Sequence, residues 1–322
     1  MQNWQPTTTS EARIARAAML RLIRDFFYTR SVLEVDTPLL SAGTVTDEHL
    51  EAFETPFHFS STGEPVRLFL QTSPEYAMKR LLCAQSGSIY QICKAFRHEG
   101  EGRWHNPEFT MLEWYRIDFD HFALMNEVDE LLQLVLNTQA GKQISYQRAF
   151  IEYLDVDPLN TCDEVLVDIM SKENIDIHAP ETLSFDSKLQ LLFSYCIEPK
   201  IGQQRPCFVY NFPASQAALA KINEDDPRVA DRFEVYFKGV ELANGFNELS
   251  AAQEQRNRFQ QDNEKRQQAE LATKPIDENF LCALEAGLPS CAGVALGIDR
   301  LLMLKIGAQH IQEVINFPVS RA

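Results

Sequence analysis

Two apolar runs with almost nothing between them restrict this fold most. SIYQICKAFR (residues 88–97) and EFTMLEWYRID (108–118) both read as buried strands, separated by the polar, glycine-containing loop HEGEGRWHN and Pro107. Strands joined at hairpin length pair antiparallel. The pattern recurs at residues 53–71, which alternate around STGEP, and strand signals return at CFVYNFP, DRFEVYFKGVELANGF and AGVALGI. SVLEVDTPLLS is expected to be a strand ending at Pro38. Helical spacing marks EARIARAAMLRLIRDFFYTR, opening at Ser10 or Glu11, and SPEYAMKRLLCAQ, with Pro74 at its tolerated start. It also marks HFALMNEVDELLQLVLN, SYQRAFIEYL and SKLQLLFSYCIE, while SAAQEQRNRFQQDNEKRQQAEL is expected to be a solvated polar helix. A doubly wound parallel fold would alternate strand and helix regularly, and this chain does not. The expectation is an α+β fold, an antiparallel β-sheet flanked by helices. It forms one domain over residues 11–322 with a helical insertion near 141–205, behind a polar N-terminus, residues 1–10, expected to fray.

The formal net charge of −16 argues against a broad nucleic-acid surface, because phosphate contacts need clustered Lys and Arg. Seven scattered cysteines with no C-x-x-C pair are expected to be reduced and buried as small apolar side chains. The first residues lack the basic-then-apolar layout of a signal peptide, and no apolar run approaches membrane-spanning length. A cytoplasmic protein with no membrane partner is expected. A Walker-type phosphate loop, H-E-x-x-H, G-x-S-x-G and a Cys/His zinc set are all missing from the sequence. What remains is charged residues placed on strands.

Three constellations carry chemistry. In FRHEGEGRWHNPEF (96–109), alternation sets Arg97 and Glu99 on one face of a strand, with Phe109 on the returning strand. An arginine on a rigid sheet suits a phosphate, being planar, permanently charged and bidentate. Glu99 can accept a hydrogen bond from an adenine amino group, and Phe109 can stack on the base. The two charges equally suit a plain ion pair on an exposed face. In GVELANGFNEL, Glu241 and Glu248 sit seven apart on either side of a glycine turn. Two carboxylates beside a polyphosphate suit Mg²⁺, a hard cation that takes oxygen ligands, and they equally suit solvent. In ALGIDR, Gly297 lets backbone approach a ligand, the following helix offers free N–H groups, and Arg300 adds a full charge. The alternative there is a helix capped by Asp299 with Arg300 exposed. A nucleotide site accounts for all three constellations at once.

These residues resemble a known family. FRHE, a loop and then His105-x-x-x-Phe109 resemble motif 2 of the class II aminoacyl-tRNA synthetases, and GVALGIDRLLM resembles their motif 3. The helix ending at VLEVDTPLL resembles motif 1, which implies a homodimer with Pro38 at its interface. ELANGFNEL, TSPEYAMKRLL and EFTMLEWY are similar to the lysyl-tRNA synthetase branch, and the resemblance covers about residues 11–321. Three departures narrow it. Motif 1 begins within the first turns, where lysyl-tRNA synthetases carry an anticodon-binding barrel beforehand. SPEY stands at 73–76 in place of APEL, and Ala295 stands in place of glycine. Together these are similar to the truncated lysyl-tRNA synthetase paralogues, which activate (R)-β-lysine with ATP and pass it to a lysine side chain of elongation factor P.

The resemblance implies a class II catalytic core with no anticodon-binding domain and no tRNA anticodon contact. It implies that Arg97 grips the α-phosphate, that His98 and Glu99 complete the ATP contact, and that Asn106 reaches the nucleotide. Phe109 would stack under adenine, while Arg300 covers its other side and the γ-phosphate; Arg97 and Arg300 are the catalytic pair. Glu241 and Glu248 would hold Mg²⁺, with Leu242 and Gly297 shaping the ATP site. Ser73, Pro74 and Glu75 would wall the amino-acid pocket, with Glu113, Tyr115, Glu248 and Ala295. Its acidity matches the two ammonium groups of lysine or (R)-β-lysine. Glu113 also suits pairing with a neighbouring arginine. Arg13, Arg16, Arg21, Arg24 and Arg30 on the first helix would face either an acidic protein substrate or solvent.

Overall fold

A threonine opens the first helix. In the computed structural model, which describes residues 4–59, 63–177 and 179–322, the Thr9 hydroxyl accepts the Ala12 N–H at 3.2 Å, and α1 runs Ser10–Tyr28. Met19, Ile23, Phe26 and Phe27 fall on its buried face, at the spacing an amphipathic helix requires. Ahead of it, Thr7 and Thr8, in the segment expected to fray, hydrogen-bond to Ile315 and Asn316. The strand expected to end at Pro38 stops earlier, as β1 (Leu33–Glu34), and a further short strand, β2 (Leu40–Ser41), follows the proline. Proline has no N–H to give a ladder, so pairing stops and the chain moves to a second sheet. β3 (Glu54–Phe57) and β4 (Val66–Leu70) form the expected hairpin; Ser61 and Thr62 of its STGEP turn lie outside the described residues. α2 (Glu75–Cys83) starts after Pro74, and β5 (Ile89–Phe96) and β6 (Glu108–Ile117) pair antiparallel as the hairpin loop requires.

Asp120 then caps α3 (His121–Leu136), and Ser145, at the end of β7 (Lys142–Ser145), caps α4 (Tyr146–Leu154). α5 (Asp163–Lys172) follows, and α6 (Phe185–Leu192) passes into one π-helical turn, Phe193–Ile197. β8 (Cys207–Pro213), β9 (Val229–Phe237) and β10 (Val240–Asn247) come next. After them lie α7 (Ala252–Gln268), α8 (Glu278–Gly287), β11 (Cys291–Gly297) and α9 (Ile298–Ile306).

The chain forms two compact units, residues up to 118 with 250–322, and residues 119–249. In the first, the strand order is β1-β5-β6-β11, antiparallel except for β1, beside a small sheet β2-β4-β3. Its core is aromatic: Phe27 stacks on Tyr90 at 4.4 Å and meets Trp114 edge-on at 5.3 Å. Each such side chain removed from water contributes about 1.5–3 kcal/mol. α7 is not wholly solvated as expected. Arg266 is buried among Glu51 and the carbonyls of Asp47 and Ala272. In the second unit the order is β10-β9-β8-β7, and Tyr146, Phe150, Phe193 and Phe212 pack together on one face. All seven cysteines are free thiols; Cys196, Cys207 and Cys291 are buried as expected, but Cys83 and Cys93 are half-buried and Cys162 and Cys282 are exposed. Among the described residues no helix is long and apolar enough to cross a membrane.

Candidate active site

Register places six of the expected site residues of the first unit on one sheet face. Ala95 pairs with Phe109, Gln91 with Glu113 and Ile89 with Tyr115; across the next seam Tyr115 pairs with Gly293, Glu113 with Ala295 and Met111 with Gly297. Paired residues point the same way. Arg97, Phe109, Glu113, Tyr115, Ala295 and Gly297 therefore share a face, and the aromatic core lies on the other. Arg97 extends the hairpin by one bond, its N–H donating to Pro107 O at 2.9 Å, and its guanidinium lies 5.2 Å from the centre of the Phe109 ring. Pro107 cannot donate in return, so the ladder ends there. Glu99 is consequently not on the strand as expected. Its N–H closes a tight turn onto Arg97 O at 2.8 Å. His98 packs against Phe53 at 4.8 Å and donates its N–H to Glu51 O.

The loop over 98–106 is held from two sides. Arg300 donates to His105 Nε2 at 2.8 Å and to Trp104 O at 3.3 Å. A guanidinium cannot accept, so His105 is neutral at Nε2 in this contact. Its pKa is lowered from the ordinary histidine value, first by desolvation and then by the Arg300 charge. From the C-terminal side, Glu101 accepts from Gln312 at 2.6 Å and Ser320 at 3.1 Å. Asn106 gives its amide N–H to Glu108 O at 2.6 Å and takes the Val319 N–H at 3.0 Å. Both ends of its amide thus have partners within the protein.

Asp299 does not cap α9. It is buried at 2% exposure, and the helix starts from Gly297 with no side-chain cap. A Cβ built on Gly297 would lie 3.7–3.8 Å from the Arg300 side chain, at ordinary contact distance. Arg16, expected on a basic outer face, instead binds Asp299. Arg13 bends back to Thr8 and Ser10, and Arg24 pairs with Glu34.

Glu113 is 3% exposed and accepts the Tyr115 hydroxyl at 2.6 Å. Beside it, burial first and then Glu113 push the Cys93 thiol up to about 12, which keeps it neutral. Ser73 accepts the Glu75 N–H at 3.3 Å, and Glu75 pairs with the fully buried Lys79 at 2.7 Å. Gln91, which the sequence argument passed over, sits opposite Glu113 and receives the Thr37 hydroxyl at 2.9 Å. Its signal was a polar residue at an alternating position of a buried strand.

In the second unit, a spacing of seven should set Glu241 and Glu248 on opposite faces. A β-bulge prevents this. Glu241 pairs with Tyr236 but Ala243 with Val235, so buried Leu242 is the extra residue. Glu241 consequently joins Asn244 and Phe246, opposite Tyr236, Glu234 and Arg232. Alternation carries Glu248, bridged to Ala220, onto the same face. Gly245 lies inside β10 rather than in a turn; the turn is at Lys238–Gly239, where both φ angles are positive. Two carboxylates on one face suit a hard cation. Asn244 was also passed over, and its buried amide oxygen has no hydrogen-bond partner among the described residues.

The chain belongs to the tRNA synthetases of class II (D, K and N), which it matches over residues 4–321. At finer grain it is 58% identical to the elongation factor P–(R)-beta-lysine ligase of Vibrio parahaemolyticus, over 98% of each chain. It is 55% identical to the proteins of that name from Edwardsiella ictaluri, over all of this chain and 99% of the other, and from Proteus mirabilis, over 99% and 98%. These relationships make the chain an ATP-dependent amino-acid ligase of the synthetase type.

Proposed function

We propose that this chain activates (R)-β-lysine with ATP and transfers it to the ε-amino group of one lysine of elongation factor P. The observation that carries the reading is the full-length identity to ligases named for that substrate and that acceptor. The first step joins a carboxylate oxygen of the amino acid to the α-phosphorus and releases pyrophosphate. In the second, the acceptor amine attacks the acyl carbon, AMP leaves with the bonding pair, and the amine proton passes to solvent. Neither step needs a nucleophilic side chain; positioning and charge supply the rate.

Each residue has a task in this reading. Arg97 neutralises charge building on the α-phosphate, and His98 and Glu99 line the adenine edge with Asn106 at the loop base. Phe109 offers its ring to adenine, and Arg300 covers the far side and the γ-phosphate. Gly297 and Leu242 leave room for the nucleotide. Glu241 and Glu248 would hold Mg²⁺, which when bound offsets polyphosphate charge. Glu113, ordered by Tyr115, takes one substrate ammonium, with Glu248 adding negative potential and Glu75, its charge offset by Lys79, lining the pocket as an acceptor. Asn244 supplies an acceptor, and Ser73, Pro74 and Ala295 close the pocket. The protein works in the cytoplasm as a homodimer.

Pyrophosphate exchange into ATP tests the activation step. Exchange that requires (R)-β-lysine and disappears in Arg97→Ala supports it. Exchange independent of the amino acid, or none at all, overturns it.

A further inference from the structure

The residues next to Phe109 and Arg300 are bound to one another. Asp299 accepts the Thr110 backbone N–H on Oδ2 at 2.6 Å and Arg16 Nη1 on Oδ1 at 2.6 Å. Arg16 Nη2 turns to the Thr110 hydroxyl, also at 2.6 Å, and Nη1 reaches the Val314 carbonyl at 3.4 Å. The three side chains close a ring that joins α1, β6 and the first turn of α9. Thr110 and Asp299 are both buried. By alternation Thr110 points away from the face that carries Phe109, so this ring touches no ligand. Neither surface basicity nor helix capping explains it.

We propose that Arg16, Asp299 and Thr110 are positioning residues for ATP: they fix the first turn of α9 on β6 and so set Arg300 relative to the Phe109 ring. This rests on the reading of those two residues as ATP contacts. The physical reason is geometric. A guanidinium presents a planar fork of donors, so it meets a carboxylate, a hydroxyl and a carbonyl together in one arrangement. A buried carboxylate left without that fork would be costly, so the arrangement is the one the fold retains. An ammonium at position 16 keeps the charge and loses the fork.

The test is steady-state pyrophosphate exchange with Arg16→Lys, Thr110→Val and Thr110→Ser, normalised by active-site titration and accompanied by thermal unfolding. Arg16→Lys is expected to raise KM for ATP about tenfold, the loss of one charge-assisted hydrogen bond. KM for the amino acid should be unchanged. Thr110→Val, which keeps the backbone N–H and loses only the hydroxyl, should move KM for ATP the same way, and Thr110→Ser should restore it. A purely structural role would lower melting temperature and active fraction but leave KM for ATP alone, and that result overturns the proposal. Arg300→Lys and Phe109→Leu separate the two levels. If they raise KM for ATP while the Arg16 and Thr110 variants do not, the positioning unit alone is wrong. If they too are silent, the ATP site reading falls and takes the positioning unit with it.

Discussion

Ala295→Gly is the change that bears most directly on substrate choice. Along β11 the positions facing the site are Gly293, Ala295 and Gly297, so one methyl group is all the side chain this stretch projects there. That methyl stands in register with Glu113, whose carboxylate is fixed by Tyr115 at 2.6 Å. Moving an amino group from the α- to the β-carbon lengthens the path between carboxylate and ammonium by one carbon. In the proposed reading, in which Glu113 takes a substrate ammonium, a methyl beside that carboxylate is placed to discriminate at that scale. One methyl or methylene in a pocket is worth about 1–3 kcal/mol, or roughly 10–200-fold in kcat/KM. Removing it is expected to shift the ratio of kcat/KM for α-lysine over (R)-β-lysine toward α-lysine by at least the lower end of that range. The assay is pyrophosphate exchange with each amino acid in separate titrations. An unchanged ratio, or equal loss on both substrates, would refute the argument that this methyl faces the reacting amino acid.

Three further outcomes follow from the geometry. Tyr115→Phe removes the hydroxyl that orients Glu113 and should raise KM for the amino acid by about tenfold, one hydrogen bond to a charged group, with KM for ATP unmoved. His105 has a lowered pKa and accepts from Arg300 while neutral, so its contribution holds above the ordinary histidine value of about 6.5 and is lost as pH falls through the lowered one. KM for ATP should therefore rise only as pH falls through that lowered value, and His105→Asn should flatten that part of the profile. Glu101→Ala cuts the bonds from Gln312 and Ser320 to the 98–106 loop and should speed proteolysis within that loop while leaving the melting temperature nearly unchanged; an unaltered cleavage pattern would remove the latch.

The antiparallel hairpins and most helices were readable because hydrophobic period and connection length act locally; the parallel pairs β1–β5 and β7–β8 were not. The β5–β6 hairpin follows from its nine-residue loop and a proline, and the bend at Lys238–Gly239 divides what read as one long strand run. The common face of Phe109, Glu113, Tyr115, Ala295 and Gly297 on β6 and β11 follows from alternation on a regular ladder, whereas Gln91 on β5 was passed over. Glu99 and Glu241 were not readable, because each depends on an irregularity. One lies past a ladder that Pro107 stops, and the other is turned by the bulge at Leu242. Arg16 was misread because an arginine at helical spacing looks solvated until its partner is known, and Asp299 lies 283 residues away. Arg266 hid in a polar helix for the same reason.

The decisive measurement is the intact mass of elongation factor P after incubation with this protein, ATP, Mg²⁺ and (R)-β-lysine. The account expects the mass of one added lysyl unit, mapped by fragmentation to a single lysine, and no gain with an Arg97→Ala enzyme or without ATP. No gain on elongation factor P, while the enzyme still drives amino-acid-dependent pyrophosphate exchange, would contradict the assignment of the acceptor.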